Sequence, residues 1–244
     1  MLGALHLSAL ELCLCGLAAI AGAAIQGAIG FGYALVVVPT LLLLAPAAVP
    51  VTPLVVATPM VAFQSVAERR RLDVRGFARM TAGRLPGTAI GAWVLSQVSS
   101  AFVAGAAGAL LLAAVAASAL RGARRSSHRI EVAAGFFSGI AGTVGAVGGP
   151  YLGLAYADRP GRVLRATISL AFLVGLVFSL TAIGIAGEIA ADPVRLGILL
   201  VPATFAGLWA GRRVAERLDH GWMRPAVLAF AGAAGLFALI RALA

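Results

Sequence analysis

The chain alternates long apolar stretches with short, arginine-rich loops, and that alternation restricts it to structures that lipid tolerates. A helix needs about 20 apolar residues to cross a hydrocarbon core of ~30 Å. Division at charges, glycine clusters and prolines predicts ten helical segments. The first half supplies 8–28, 31–45, 48–67, 76–97 and 101–120; the second supplies 130–146, 149–157, 166–187, 193–214 and 225–243. None shows the two-residue alternation of a membrane barrel, and lipid admits only helices or closed barrels because each backbone polar group must be satisfied internally. The expected fold is an all-α polytopic membrane protein.

Composition agrees. Of 244 residues, 61% are hydrophobic and 11% charged, with mean hydropathy +1.00, too few charges to coat a soluble core. A net charge of +10 would suit a nucleic-acid partner, but there is no lysine and the arginines lie almost entirely between apolar segments. That placement fits membrane orientation, with the lipid bilayer as partner and no nucleic acid. Cys13 and Cys15 are the only cysteines and have no second pair or histidine cluster beside them, so neither metal nor cofactor is expected. The apolar N-terminus lacks a basic leader and carries Glu11, and the repeat described next requires it; it is expected to remain in the mature protein.

Arginines cluster at 69–79, 121–129, 159–165 and 212–224, and these loops are expected to face the cytoplasm of an inner-membrane protein. The weakly charged turns 45–49 and 98–100, the acidic turn 187–193 and both termini then face outward.

The halves also align. At a shift of 115, Gly27, Gly30, Thr52 and Phe63 meet Gly142, Gly145, Thr167 and Phe178; at 116, Pro86, Gly91 and Trp93 meet Pro202, Gly207 and Trp209. Five segments per half place successive halves in opposite senses across the membrane, and the basic loop near 70 corresponds to the acidic loop near 190. The expectation is two inverted-topology repeats, 1–120 and 130–244, joined by a basic linker 121–129, an architecture that places substrate at the repeat interface.

Each half begins with a glycine-broken pair of segments: Gln26-Gly27-Ala28-Ile29-Gly30-Phe31-Gly32-Tyr33, and Gly142-Thr143-Val144-Gly145-Ala146-Val147-Gly148-Gly149-Pro150-Tyr151. Residues 149–157 rise only ~14 Å as a helix, too little to cross. A hairpin in each half is therefore expected, tipped by glycines that accept positive φ, with the returning helices aiming their N-termini inward. Free N–H groups and the helix dipole make such tips an anion site; the same glycines read alternatively as packing notches. Tyr151 and Tyr33 flank the breaks.

Four polar positions join these candidates. Thr52 and Thr167 offer hydroxyls either to substrate or to their own helix backbone. Gln26 and Gln64 stand in apolar surroundings, suited to substrate contact or interhelical bonding. Arg84, about nine residues into its segment, either faces the cavity and attracts an anion or snorkels toward the basic loop. Its repeat counterpart, Leu200, is apolar.

The break Gly27-Ala28-Ile29-Gly30-Phe31-Gly32 followed by Pro39, the run Gly142 to Gly149, the threonine after each hairpin, and Leu85-Pro86-Gly87 leading to Gly91 resemble the sulfite exporter TauE/SafE family over nearly the whole chain. The pattern departs at Tyr33, where a further glycine is common, and in the second break, which lacks phenylalanine. The resemblance implies export of sulfite, sulfoacetate or a related sulfur-containing anion without ATP hydrolysis by the chain. Two other readings stand beside a small-anion transporter: carriage of a cation or neutral solute, and a non-catalytic assembly subunit. An enzyme is not expected, since His6, His128 and His220 lie near termini or in loops and no nucleophile is set beside a base. The sequence leaves oligomeric state open, a homo-oligomer included.

Overall fold

The computed structural model of the chain describes residues 7–97, 100–120, 127–156 and 159–214, with single positions at 236 and 240. Among the described residues there are nine α-helices and no strand. They are α1 (Ala9–Ile29), α2 (Tyr33–Leu44), α3 (Val51–Glu68), α4 (Val74–Gln97), α5 (Ser100–Leu120), α6 (His128–Val144), α7 (Gly149–Ala155), α8 (Gly161–Ile185) and α9 (Ala191–Val214). Single 3-10 turns at Pro46–Ala48 and Arg69–Arg71 bracket α3. The tenth segment at 225–243, most of the 121–129 linker, the turn at 98–99 and Arg217 and Arg224 lie outside the described residues.

Nine of the ten segments thus appear close to their expected bounds. The largest displacement is at α8, which starts at Gly161 rather than 166 because Pro160 caps it and the arginines that suggested a loop form its first turns. α1 begins with a capping box: Ser8 Oγ accepts from the Glu11 N–H at 3.3 Å, and Glu11 Oε2 accepts from the Ser8 N–H at 2.8 Å. Glu11 is therefore a helix-start residue.

Among the described residues four helices are long and apolar enough to cross a membrane: Ala9–Ile29, Val51–Arg71, Gly161–Ile185 and Ala191–Arg213. The outer surface is apolar as well, with Leu10, Phe63, Trp93, Ile198 and Trp209 exposed. Exposed apolar surface of this extent suits lipid rather than water.

Glycine determines which helices meet. A Cβ at Gly83 or Gly87 of α4 would collide with the Val132 or Phe136 carbonyl of α6, and one at Gly135 or Gly139 would collide with the Met80 or Arg84 carbonyl of α4. The two backbones touch through small residues four apart, as in tight membrane helix pairs. α1 and α9 pair in the same manner, with Gly207 and Gly211 seated on the carbonyls of Ile20 and Ala24. Between these pairs α3 packs on α8, α3 on α9, and α8 on α4.

The breaks take the expected places. α1 ends where Gly30 adopts φ 97°, and Gly32 at φ 119° precedes α2. In the second break the left-handed residue is Ala146 at φ 56°, not a glycine. α7 has seven residues, a rise of about 10 Å.

Candidate functional site

Both breaks open onto one cavity, which has about 50 Å³ of space for the centres of water molecules. Gln26, Gly32 and Tyr33 line it from the first break; Gly142, Ala146, Gly148 and Gly149 line it from the second. Met60 and Val61 of α3 and Phe172 and Leu176 of α8 close the apolar sides. Phe31 of the first break also packs on α7, since a Cβ at Gly153 would lie 2.8 Å from its ring.

Arg84 is the charge in this cavity. It lies ten residues into α4, about 15 Å along the axis from Val74, and is 3% exposed. Room for it is made by glycine: a Cβ at Gly175 of α8 would overlap the guanidinium, and one at Gly142 would lie 3.3 Å from a terminal nitrogen. One guanidinium nitrogen donates to Ser138 Oγ at 3.2 Å, and the carbon centre stands 5.4 Å from the Phe172 ring centroid. The Arg84 Nε has no hydrogen-bond partner, and no carboxylate pairs with Arg84 among the described residues. A buried cation without a counter-charge is costly, and an arriving anion would relieve that cost. Arg84 accordingly lines the cavity instead of snorkelling out.

Gln26 organises the first break. Its Nε2 donates to the Gly30 carbonyl at 3.1 Å and to Gln64 Oε1 at 3.5 Å, while its Oε1 accepts the Tyr33 N–H at 3.3 Å. The first free N–H of α2 is thereby taken by a side chain, a role that α2's position in an apolar chain does not announce. Gln64 lies beside it, donating to the Gln26 carbonyl at 3.4 Å.

The remaining candidates fall elsewhere. Thr52 Oγ1 donates to the Pro193 carbonyl at 2.7 Å, and Thr167 Oγ1 accepts the Asp73 N–H at 3.1 Å, so both hydroxyls join the starts of neighbouring helices. Thr143 Oγ1 donates to the Gly139 carbonyl at 2.8 Å and meets Ser179 Oγ at 2.8 Å. Gly145 packs on Ala107, and Tyr151 Oη donates to the Leu110 carbonyl at 3.2 Å. Gly27 seats against Leu208 of α9, and Gly30 against Arg165.

Sequence reasoning passed over Ser138, Phe172 and Gly175. Ser138 is fully buried, accepts from Arg84 and donates to the Gly148 carbonyl at 2.8 Å, which ties the charge to the second break. Its signal was present: it lies one turn before Gly142, on the same face of α6.

Asp73, in the turn before α4, caps that helix. Its Oδ1 accepts the N–H groups of Gly76 and Arg75 at 3.0 and 3.1 Å, and its Oδ2 accepts the Tyr156 hydroxyl. The Tyr156 bond, then the Gly76 N–H, hold its carboxyl below the usual carboxylate range.

A family model described as sulfite exporter TauE/SafE matches residues 14–238, nearly the full length. The chain belongs to the sulfite exporter TauE/SafE family. Neither a curated relative nor a solved structure matches it. TauE/SafE proteins are membrane transporters, and the apolar helices make this member a multi-pass membrane protein. In this TauE/SafE chain the glycine breaks that carried the resemblance are the segments that border the Arg84 cavity.

Proposed function

We propose that the chain is a secondary transporter that exports a small sulfur-containing anion, sulfite, sulfoacetate or a related sulfonate, by alternating access around the paired breaks. The observation that carries this reading is Arg84: a buried guanidinium with no carboxylate partner among the described residues, facing a cavity that both breaks border. The anion's oxygens accept from the guanidinium, whose fork suits two oxygens at once, and Gly148 and Gly149 bring backbone close without side chains in the way. No metal or cofactor enters this scheme.

The reading includes two inverted repeats, 1–120 and 130–244, in an inner membrane with the arginine-rich loops cytoplasmic. The helix pairing supports it. At the repeat shift α1 corresponds to α6 and α4 to α9, so the α1–α9 and α4–α6 contacts are one contact with the halves exchanged. The α3–α9 and α8–α4 contacts are exchanged likewise, and α3 meets its own counterpart α8. The matched threonines do the same: Thr52 bonds the start of α9 and Thr167 the turn before α4.

The test is flux. Purified protein in sealed vesicles should move sulfite or sulfoacetate when a gradient is imposed. Absence of flux for sulfite, sulfoacetate, thiosulfate and sulfate, from protein shown to be folded, overturns the reading.

A further inference from the structure

A second chamber lies at the arginine-rich end, larger than the first, with about 310 Å³ of space for water centres. Among the described residues five arginines, Arg70, Arg71, Arg162, Arg165 and Arg212, line it together with the carboxylate of Glu68. It is next to the Arg84 cavity: Gln26 lines that cavity, while its chain neighbour Gly27 lines this chamber. The end of α1 and the first break thus form the wall between the two.

Guanidinium groups stay charged at any physiological pH, so five of them around one concavity repel one another and focus a positive field into it. Glu68 pairs with Arg165 through a 2.9 Å bond to its Nε. The Arg212 carbon centre is 5.4 Å from the Phe63 ring centroid, within cation–π range. The Arg165 side chain packs on this wall, since a Cβ at Gly30 would lie 2.6 Å from its Cγ. A forked donor set with excess positive charge matches an oxyanion that presents two or three oxygens.

We infer that this chamber is a second oxyanion site, which holds a still-hydrated sulfite, sulfonate or phosphate-type group before it reaches the Arg84 cavity. The inference deepens the anion-transport reading and rests on it for the order of the two sites; binding in the chamber stands on its own residues. The chamber leaves more room for an anion's water shell than the Arg84 cavity does. The field in the chamber holds the ion near the wall. Free anion and the phosphate of an anionic lipid share this chemistry.

Calorimetric titration with sulfite, on protein in zwitterionic nanodiscs, distinguishes these sources and the two sites. Wild type is expected to show two binding events, one of them strongly weakened by added chloride salt. The exposed pair Arg70→Gln with Arg162→Gln should weaken the salt-sensitive event at least about tenfold and spare the other. Arg84→Met should do the reverse. Nanodiscs containing phosphatidylglycerol that suppress the salt-sensitive event support the site with lipid phosphate as its occupant; persistence there supports the free anion. A double variant that binds with wild-type stoichiometry and salt dependence overturns the inference. If Arg84→Met keeps both events, the Arg84 reading fails while the chamber stands.

Discussion

The guanidinium of Arg84 donates to Ser138 Oγ at 3.2 Å, and the Ser138 hydroxyl passes on to the Gly148 carbonyl at 2.8 Å. A charge on α4 is thereby coupled to the backbone of the second break through one hydroxyl. Ser138→Ala should weaken sulfite binding by about tenfold, the worth of one hydrogen bond to a charged group, while the fold persists. A titration that finds wild-type affinity in this variant removes Ser138 from the site.

Replacement of Arg84 itself should be graded. Arg84→Lys keeps a charge but loses the planar fork, and Arg84→Met loses both. Vesicle flux of sulfite is expected to fall in the order wild type, Lys, Met, with Met at or near background. Equal flux for Lys and Met would show that charge is not what the cavity supplies.

Gly175→Ala tests placement without altering charge. The added methyl overlaps the Arg84 guanidinium, so the side chain must swing away. The expected result is a higher KM for the anion, by about tenfold, with protein yield and melting temperature nearly unchanged. Unchanged transport would mean that the position of the guanidinium is immaterial.

Two glycine-to-alanine changes should move stability in opposite directions. At Gly87 the Cβ meets the Phe136 carbonyl across the α4–α6 contact, and overpacking there should cost about 1–3 kcal/mol. Gly16 of α1 has nothing within 4 Å of its would-be Cβ, and alanine there should stabilise by up to about 1 kcal/mol through helix propensity. Thermal unfolding in detergent compares them directly.

The Asp73 cap gives a pH dependence. Its carboxyl pKa is depressed, so its contribution is present above the ordinary carboxylate value of about 3.9 and is lost as pH falls through the lower folded value. Stability should therefore decline on the acid side. Tyr156→Phe removes the largest cause of the depression, so its profile between neutral pH and about pH 2 should be flatter than wild type. Parallel melting-temperature profiles for the two proteins would contradict this.

Much of the fold was legible because lipid makes hydropathy and backbone satisfaction nearly decisive. Nine expected segments and both glycine breaks are present, and Arg84 was identified by the cost of a cation among apolar residues. Three features were not legible. The left-handed residue of the second break is Ala146, because the surrounding packing holds a backbone shape that no local glycine specifies. Gly83, Gly87, Gly135 and Gly139 gave only an i, i+4 pattern, and nothing local states that their partner helix lies in the other half. Gly175 is one glycine among many; its purpose appears only when a side chain from α4 is seen to fill the space it leaves.

The α1–α9 contact carries a consequence for how the molecule is made. About 160 residues separate the end of α1 at Ile29 from the start of α9 at Ala191. At 5–20 residues per second, α1 is synthesised roughly 8–30 s before the first residue of the helix that will seat on its carbonyls exists. During that interval the face of α1 that carries Ile20, Ala24 and Gly27 must be shielded by something other than α9. Assembly of this chain is therefore closed by its late-made helix, and until that helix arrives the earliest one is a lodger in the membrane without its permanent neighbour.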